Sequence, residues 1–186
     1  MEMYGSMENC ESVTEEKLGK INLENIRSYY SESKRLCELL CRSYSKEYNV
    51  KVKIARLAQT IMVGVLNNDN RVFAQFANSV MNNKDIILHT DGKSEENYVY
   101  SIDAVAGILL LNRGNSGEAY NVSNESNHMI IAEMAQMVCD NFSGGNGRLV
   151  FDIPIDINKY GYVPNVKLFL NYEKLRSIWW HPKFNL

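Results

Sequence analysis

The chain has 186 residues, 45% of them hydrophobic, with four cysteines and a formal net charge of -2, enough apolar material for one real core or a large piece of a bigger one. No long basic run accompanies that charge, which argues against nucleic acid or an anionic membrane as partner, and no apolar stretch reaches the roughly 20 residues that span a bilayer. Met1 to Thr14 is polar and acidic rather than a signal peptide, so a cytoplasmic chain with reduced thiols is expected.

The opening residues read as irregular to about Asn25, and their acidic stretch as a solvated tail. From Arg27 to about Glu47, Leu36, Leu39, Leu40 and Tyr44 recur at helical spacing, and Cys37 and Cys41 add a small strip read as packing. Val50 to Leu57 alternates as a strand does. A loop holds Asn67-Asn68-Asp69-Asn70, and Arg71 to Met81 reads as an amphipathic helix. Ile86 to Leu88 and Tyr98 to Tyr100 are short strands, with a turn at Thr90-Asp91-Gly92-Lys93 between them. Asp103 to Leu111 is an apolar helix ended by Gly114 or Gly117. Ala119 to Val122 is a strand, and Ile130 to Phe142 a helix with a methionine-rich core side. A glycine-rich turn leads to a strand at Leu149 to Ile153, and Asn171 to Ile178 is a last short helix.

Alternating strands and helices make an α/β chain. A complete doubly wound domain opens on a βα unit with a Gly-rich turn. Gly144-Gly145-Asn146-Gly147 comes late and follows a helix, so it is not that turn. The chain is expected to start partway through a fold.

Tyr30 and Lys34 stand four apart on a predicted helix, so both project from one face. Tyrosine is a poor acid or base at neutral pH, and a nearby ammonium favours its phenolate. Such a pair moves a proton at a carbinol oxygen while a cofactor takes the hydride. The spacing alone is also that of many solvated helices. His89, His128 and His181 share no ligand spacing with the cysteines, so no metal site is expected.

Context sharpens the pair. Tyr30-Ser31-Glu32-Ser33-Lys34-Arg35-Leu36-Cys37-Glu38 resembles the Tyr-x-x-Ser-Lys-x-x-x-Glu run of extended short-chain dehydrogenases/reductases. Met3-Tyr4-Gly5 and Thr14-Glu15-Glu16 resemble stretches upstream of it. Arg56 to Thr60, Tyr98 to Val105, Gly117-Glu118-Ala119-Tyr120-Asn121-Val122 and the closing Trp180-His181-Pro182 resemble stretches downstream. The likeness runs in order along nearly the whole chain, nearest to the UDP-glucose 4-epimerase and dTDP-glucose 4,6-dehydratase branch of the NAD-dependent sugar-nucleotide epimerases and dehydratases.

That resemblance implies an incomplete Rossmann-type α/β fold. Residues 1–80 would be the rear of the nucleotide-binding domain, and residues 81–186 mostly the small substrate domain. Tyr30 would be the catalytic acid/base and Lys34 its neighbour, which also contacts the cofactor ribose. Gln59 would face the substrate, NAD would be the cofactor and a nucleotide sugar the substrate. The helix bearing Tyr30 would pack in a dimer. Departures from the family pattern accompany this. The catalytic Ser or Thr would precede Tyr4. The glycine fingerprint would lie roughly 100 or more residues upstream, at ~30 residues per βαβ unit. Ile61-Met62-Val63 replaces an aromatic-Gly-Pro stretch, Glu96 stands where an Arg grips phosphates, and Trp179 replaces a Gly. The expectation is a part of such an enzyme that is inactive alone. Its alternatives are a chain completed by a second chain, a self-associating module, and an unrelated α/β binding domain.

Overall fold

The computed structural model describes residues 1–7, 12–64, 68–155 and 165–186; Cys10 and Asn67 lie outside them. The elements alternate as an α/β chain should. A 3-10 turn at Glu2–Tyr4 is followed by helix α1 (Ser28–Tyr48), strands β1 (Ile54–Leu57) and β2 (Gln59–Ile61), and helix α2 (Val72–Met81). Then come β3 (Ile86–Leu88), β4 (Glu95–Tyr100), α3 (Ser101–Leu110), β5 (Ala119–Val122), β6 (His128–Ile130), α4 (Ile131–Phe142), β7 (Leu149–Phe151) and α5 (Glu173–Arg176). β1 runs parallel to β5, with Ile54 opposite Ala119 and Leu57 opposite Val122. β3 runs parallel to β7, and β2, β4 and β6 form a third sheet in that order. Parallel pairs need long crossovers, and the helices intervening in sequence supply them.

The residues cluster into two compact units. One takes Met1–Thr60, Glu96–His128 and Lys167–Leu186; the other takes Ile61–Glu95 and Met129–Val166. In the first, Tyr4, Val13, Val99, Tyr120, Val122, Leu170, Leu175 and Trp180 are buried. The described part of the acidic start is therefore not a solvated tail. The Val13 N–H donates to the Phe169 carbonyl at 2.7 Å, and the Asn171 N–H donates to the Val13 carbonyl at 3.0 Å. Gly5 has φ 72, and a Cβ there would sit 2.6 Å from the Lys20 carbonyl oxygen, so glycine is required where Ser6 and Lys20 bridge.

Trp180 lies against α3. Its indole N–H donates to the Asp103 carbonyl at 3.1 Å, while the Asp103 carboxylate accepts the Lys183 and Phe184 N–H groups at 2.9 Å each. A Cβ on Gly107 would come within 2.8 Å of Val122 and 3.1 Å of the indole. This close packing of helix, strand and indole is what glycine makes possible at 107.

In the second unit α2 and α4 pack with β3 and β7 over Phe76, Val80, Ile86, Leu88, Met134 and Cys139. Met134 fills core as expected. The first α4 amides are satisfied by Gly92 and Ser94 carbonyls at 3.0 Å, and the Glu133 carboxylate takes the Ile130 N–H at 3.1 Å.

Several expectations shift. The strand read from Val50 begins only at Ile54, and β2 and β6 were not foreseen. Three residues such as Gln-Thr-Ile carry no readable alternation. Cys37 and Cys41 are exposed rather than packed. Of all the residues in α1 only Ser31 is buried, and Leu36, Leu39, Leu40 and Tyr44 lie open to solvent.

Candidate active site

α1 ends where Asn49 turns left-handed at φ 54, a conformation asparagine tolerates. Near its start the four-residue spacing stacks Tyr30 and Lys34, with the Lys34 ammonium 5.3 Å from the Tyr30 ring centroid. Tyr30 is 45% exposed and Lys34 is exposed. Both heads can therefore meet a ligand outside the chain.

One turn further on, Glu38 reaches β1. Its two carboxylate oxygens receive the Arg56 Nε–H and Nη2–H at 2.8 Å each. The Arg56 side chain is only 4% exposed. Its Nη1 donates to the Tyr4 hydroxyl at 3.0 Å and to the Glu15 carbonyl at 2.7 Å. Burial alone lowers the basicity of Arg56, but the bonds to Glu38 and Tyr4 outweigh it and hold the guanidinium above its ordinary value. Burial pushes the Tyr4 phenol up to about 12, although Arg56 opposes the shift.

The Tyr4 hydroxyl donates to the Asn121 side-chain carbonyl. The Asn121 amide donates to the Val13 and Asn171 carbonyls at 3.0 and 2.9 Å, and its backbone N–H reaches the Glu15 carboxylate at 2.6 Å. On the neighbouring face Arg35 donates to the carbonyls of Met3, at 2.8 Å, Tyr4 and Gly19. The helix carrying Tyr30 is thus attached through guanidinium bonds. The sequence displayed Tyr4, Glu15, Glu38, Arg56 and Asn121 only as letters of a pattern and gave none of them a role. Their recurrence in that pattern was the available signal.

Gln59, on β2, donates its side-chain N–H to the Glu96 carboxylate on β4 at 2.8 Å. Burial raises the Glu96 carboxyl above the usual range, and the Gln59 bond partly opposes it. The Met1 amine, lowered by burial, lies within electrostatic reach of Glu96, Arg56 and Lys34. Met62 and Val63 follow β2 and are exposed. Trp179 is exposed at φ 76, a left-handed backbone that favours glycine. Among the described residues no cluster of three or more His, Cys, Asp or Glu could hold a metal, and no helix is long and apolar enough to cross a membrane.

The model of the NAD dependent epimerase/dehydratase family matches residues 1–123. UDP-glucuronic acid decarboxylase 1 of Xenopus tropicalis is 28% identical over 150 residues, covering 81% of this chain and 35% of the relative. UDP-glucuronic acid decarboxylase 2 of Arabidopsis thaliana is 25% identical over 168 residues, covering 90% and 36%. Among solved structures, dTDP-glucose 4,6-dehydratase from Bacillus anthracis in complex with NAD superposes with TM-score 0.77 at 20% identity. That match covers 99% of this chain and 55% of the other. UDP-glucose 4-epimerase from Thermotoga maritima with UDP-glucose gives TM-score 0.72 at 20% identity, covering 84% and 48%. The fold is theirs, and the chain spans about a third of the length of these curated relatives.

Proposed function

This chain belongs to the NAD dependent epimerase/dehydratase family, and from that premise we propose that it carries the proton-transfer element and substrate side of an NAD-dependent nucleotide-sugar enzyme. Residues 1–80 are the rear of its nucleotide-binding domain, and residues 81–186 mostly its sugar-nucleotide domain, in a cytoplasmic setting. The observation that carries the reading is the exposed Tyr30 with the Lys34 ammonium 5.3 Å from its ring.

These two residues fit the reactive end of NAD, which when bound supplies the hydride acceptor. Tyr30 passes a proton to or from the sugar oxygen. Lys34 steadies the negative charge that develops on the phenol oxygen, and offers N–H groups to a ribose hydroxyl. Gln59 faces the substrate with its side-chain carbonyl, since its N–H is engaged by Glu96. The remainder of the dinucleotide is expected to find no partner among the described residues. No Gly-x-x-Gly-x-x-Gly run occurs in them, and a carboxyl at 96 gives phosphates no cation to bind. The chain alone is therefore inactive and binds NAD weakly or not at all.

Two measurements test this. Calorimetry of NAD with the purified chain should show no binding at micromolar concentration; micromolar affinity would overturn the inactive-alone reading. Co-expression with the front half of a UDP-glucuronic acid decarboxylase should give turnover of a UDP-sugar that Tyr30→Phe abolishes. Turnover surviving that substitution would remove Tyr30 from the chemistry.

A second reading is favoured by the surface of α1. Leu36, Leu39, Leu40 and Tyr44 are 48–60% exposed, an apolar strip suited to pairing with a second copy. On this reading the chain is a self-associating module, and sedimentation at high concentration should show a dimer that Leu39→Glu disperses. A clean monomer would count against it.

A further inference from the structure

We infer that Glu38 and Arg56 are positioning residues, and that their ion pair sets where the Tyr30–Lys34 pair stands over the strand beneath it. The inference rests on the proposed role of Tyr30 and adds to it the device that holds the phenol in place.

A helix on a sheet usually takes its register from a stripe of buried apolar side chains. α1 lacks such a stripe. Its one buried residue is Ser31, and its leucines face solvent. Apolar contact under it is slight, and such contact is non-directional, so it would let a helix slide or roll. The bonds that do hold α1 are directional.

Tyr30, Lys34 and Glu38 are spaced by four and lie along one side of the helix. The last of them is gripped by a planar guanidinium through two parallel bonds of 2.8 Å. A two-point grip of this kind fixes orientation as well as distance. Arg56 itself cannot swing, because its third nitrogen is held by the Tyr4 hydroxyl and the Glu15 carbonyl, and Tyr4 is held by Asn121 on β5. The chain of bonds therefore runs from the β1–β5 sheet to the helix face that carries the phenol and the ammonium. Arg35, bonded to the carbonyls of Met3, Tyr4 and Gly19, adds a second attachment one turn away.

Stability and positioning separate in one variant. Removing Arg56 or Glu38 singly leaves a buried charge and risks unfolding. Replacing both, as Glu38→Met with Arg56→Met, fills the space with apolar side chains, and such replacements of a buried pair are often neutral or stabilising. The paired variant is expected to fold and to lose the register of α1.

The test places nitroxide labels at Cys41 on α1 and at Asn112→Cys beyond α3, with Cys10, Cys37 and Cys139 replaced by alanine, and reads the distance by electron double resonance. The Glu38–Arg56 background should give one narrow distance. The double-methionine variant should broaden it or shift it by about 2 Å, twice the ~1 Å misplacement that already slows catalysis strongly. Hydrogen exchange at the Ile54 and Ala58 amides, bonded to Glu118 and Val122, should stay slow in both, which shows that the sheet is intact. An unshifted narrow distance in the folded double variant would overturn the inference, as would equal loss of protection in the sheet. Because the readout is a distance, it stands whether or not Tyr30 transfers a proton. A displaced helix together with a turnover-competent Tyr30→Phe enzyme would uphold the clamp and reject the chemistry.

Discussion

Arg56→Ala should be the most damaging single change at this site. It removes four hydrogen bonds, two to Glu38, one to Tyr4 and one to Glu15. Counted separately at ~1.5–3 kcal/mol for bonds to charged groups, they would sum to more than half the stability of a typical domain. That sum is too large, because losing the arginine also relieves its own desolvation. The better guide is breaking a buried pair from one side, which costs ~3–5 kcal/mol. The Glu38 side chain is 13% exposed and can turn partly toward water, so the lower end, about 3 kcal/mol, is expected. In urea, with m of ~1–3 kcal/mol/M, the unfolding midpoint should fall by ~1–3 M. A loss below ~1 kcal/mol would refute the claim that this guanidinium is tightly coupled to its partners.

Other outcomes follow from the same geometry. Trp179→Gly relieves a left-handed backbone worth ~1–2 kcal/mol, less the ~0.5–1 kcal/mol of extra entropy glycine loses on folding, so melting should rise by ~1–3 °C; a fall would contradict it. Glu96 has a raised carboxyl in the folded state. It therefore contributes stability fully below its unfolded value and loses it as pH rises through the folded value. Glu96→Gln should be more stable than the parent at pH 7 and no more stable near pH 4, and an equal gain at both would be inconsistent with that sign. Tyr4, pushed up to about 12 by burial, should stay protonated at pH 11, where open phenols ionise in an ultraviolet titration. Its contribution is present below the unfolded value and lost as pH passes the folded one, so alkaline unfolding should accompany its ionisation.

Much of the fold was legible because its longer elements have clean periods. β5 falls at Ala119 to Val122 as read, and α2 and α4 start within one residue of their expected positions. Beyond Tyr30, Lys34 and Gln59, the site was legible only as letters. Periodicity marked Leu36, Leu39 and Leu40 as an apolar set but could not say whether anything covers them. It gave Cys37 and Cys41 a packing role that the polar attachment of α1 removes. The start looked like a tail because what fixes it is distant. Tyr4 bonds Asn121, 117 positions away, and Glu15 bonds the backbone of the same residue, 106 away. No local window contains such a partner.

The interleaving of the first unit has a consequence for how the chain is made. Its core combines Met1–Thr60, Glu96–His128 and Lys167–Leu186, and Trp180 closes onto Asp103, 77 positions earlier. On a ribosome, Tyr4 and the residues around it emerge long before Asn121 or Trp180 exists to meet them. The unit cannot reach its native state residue by residue, and its completion waits for Lys167–Leu186. Contacts of such long range slow folding and leave apolar surface open in the meantime. A nascent chain stalled before Lys167 should therefore be protease-sensitive and recruit chaperones, and release of the final segment should end both.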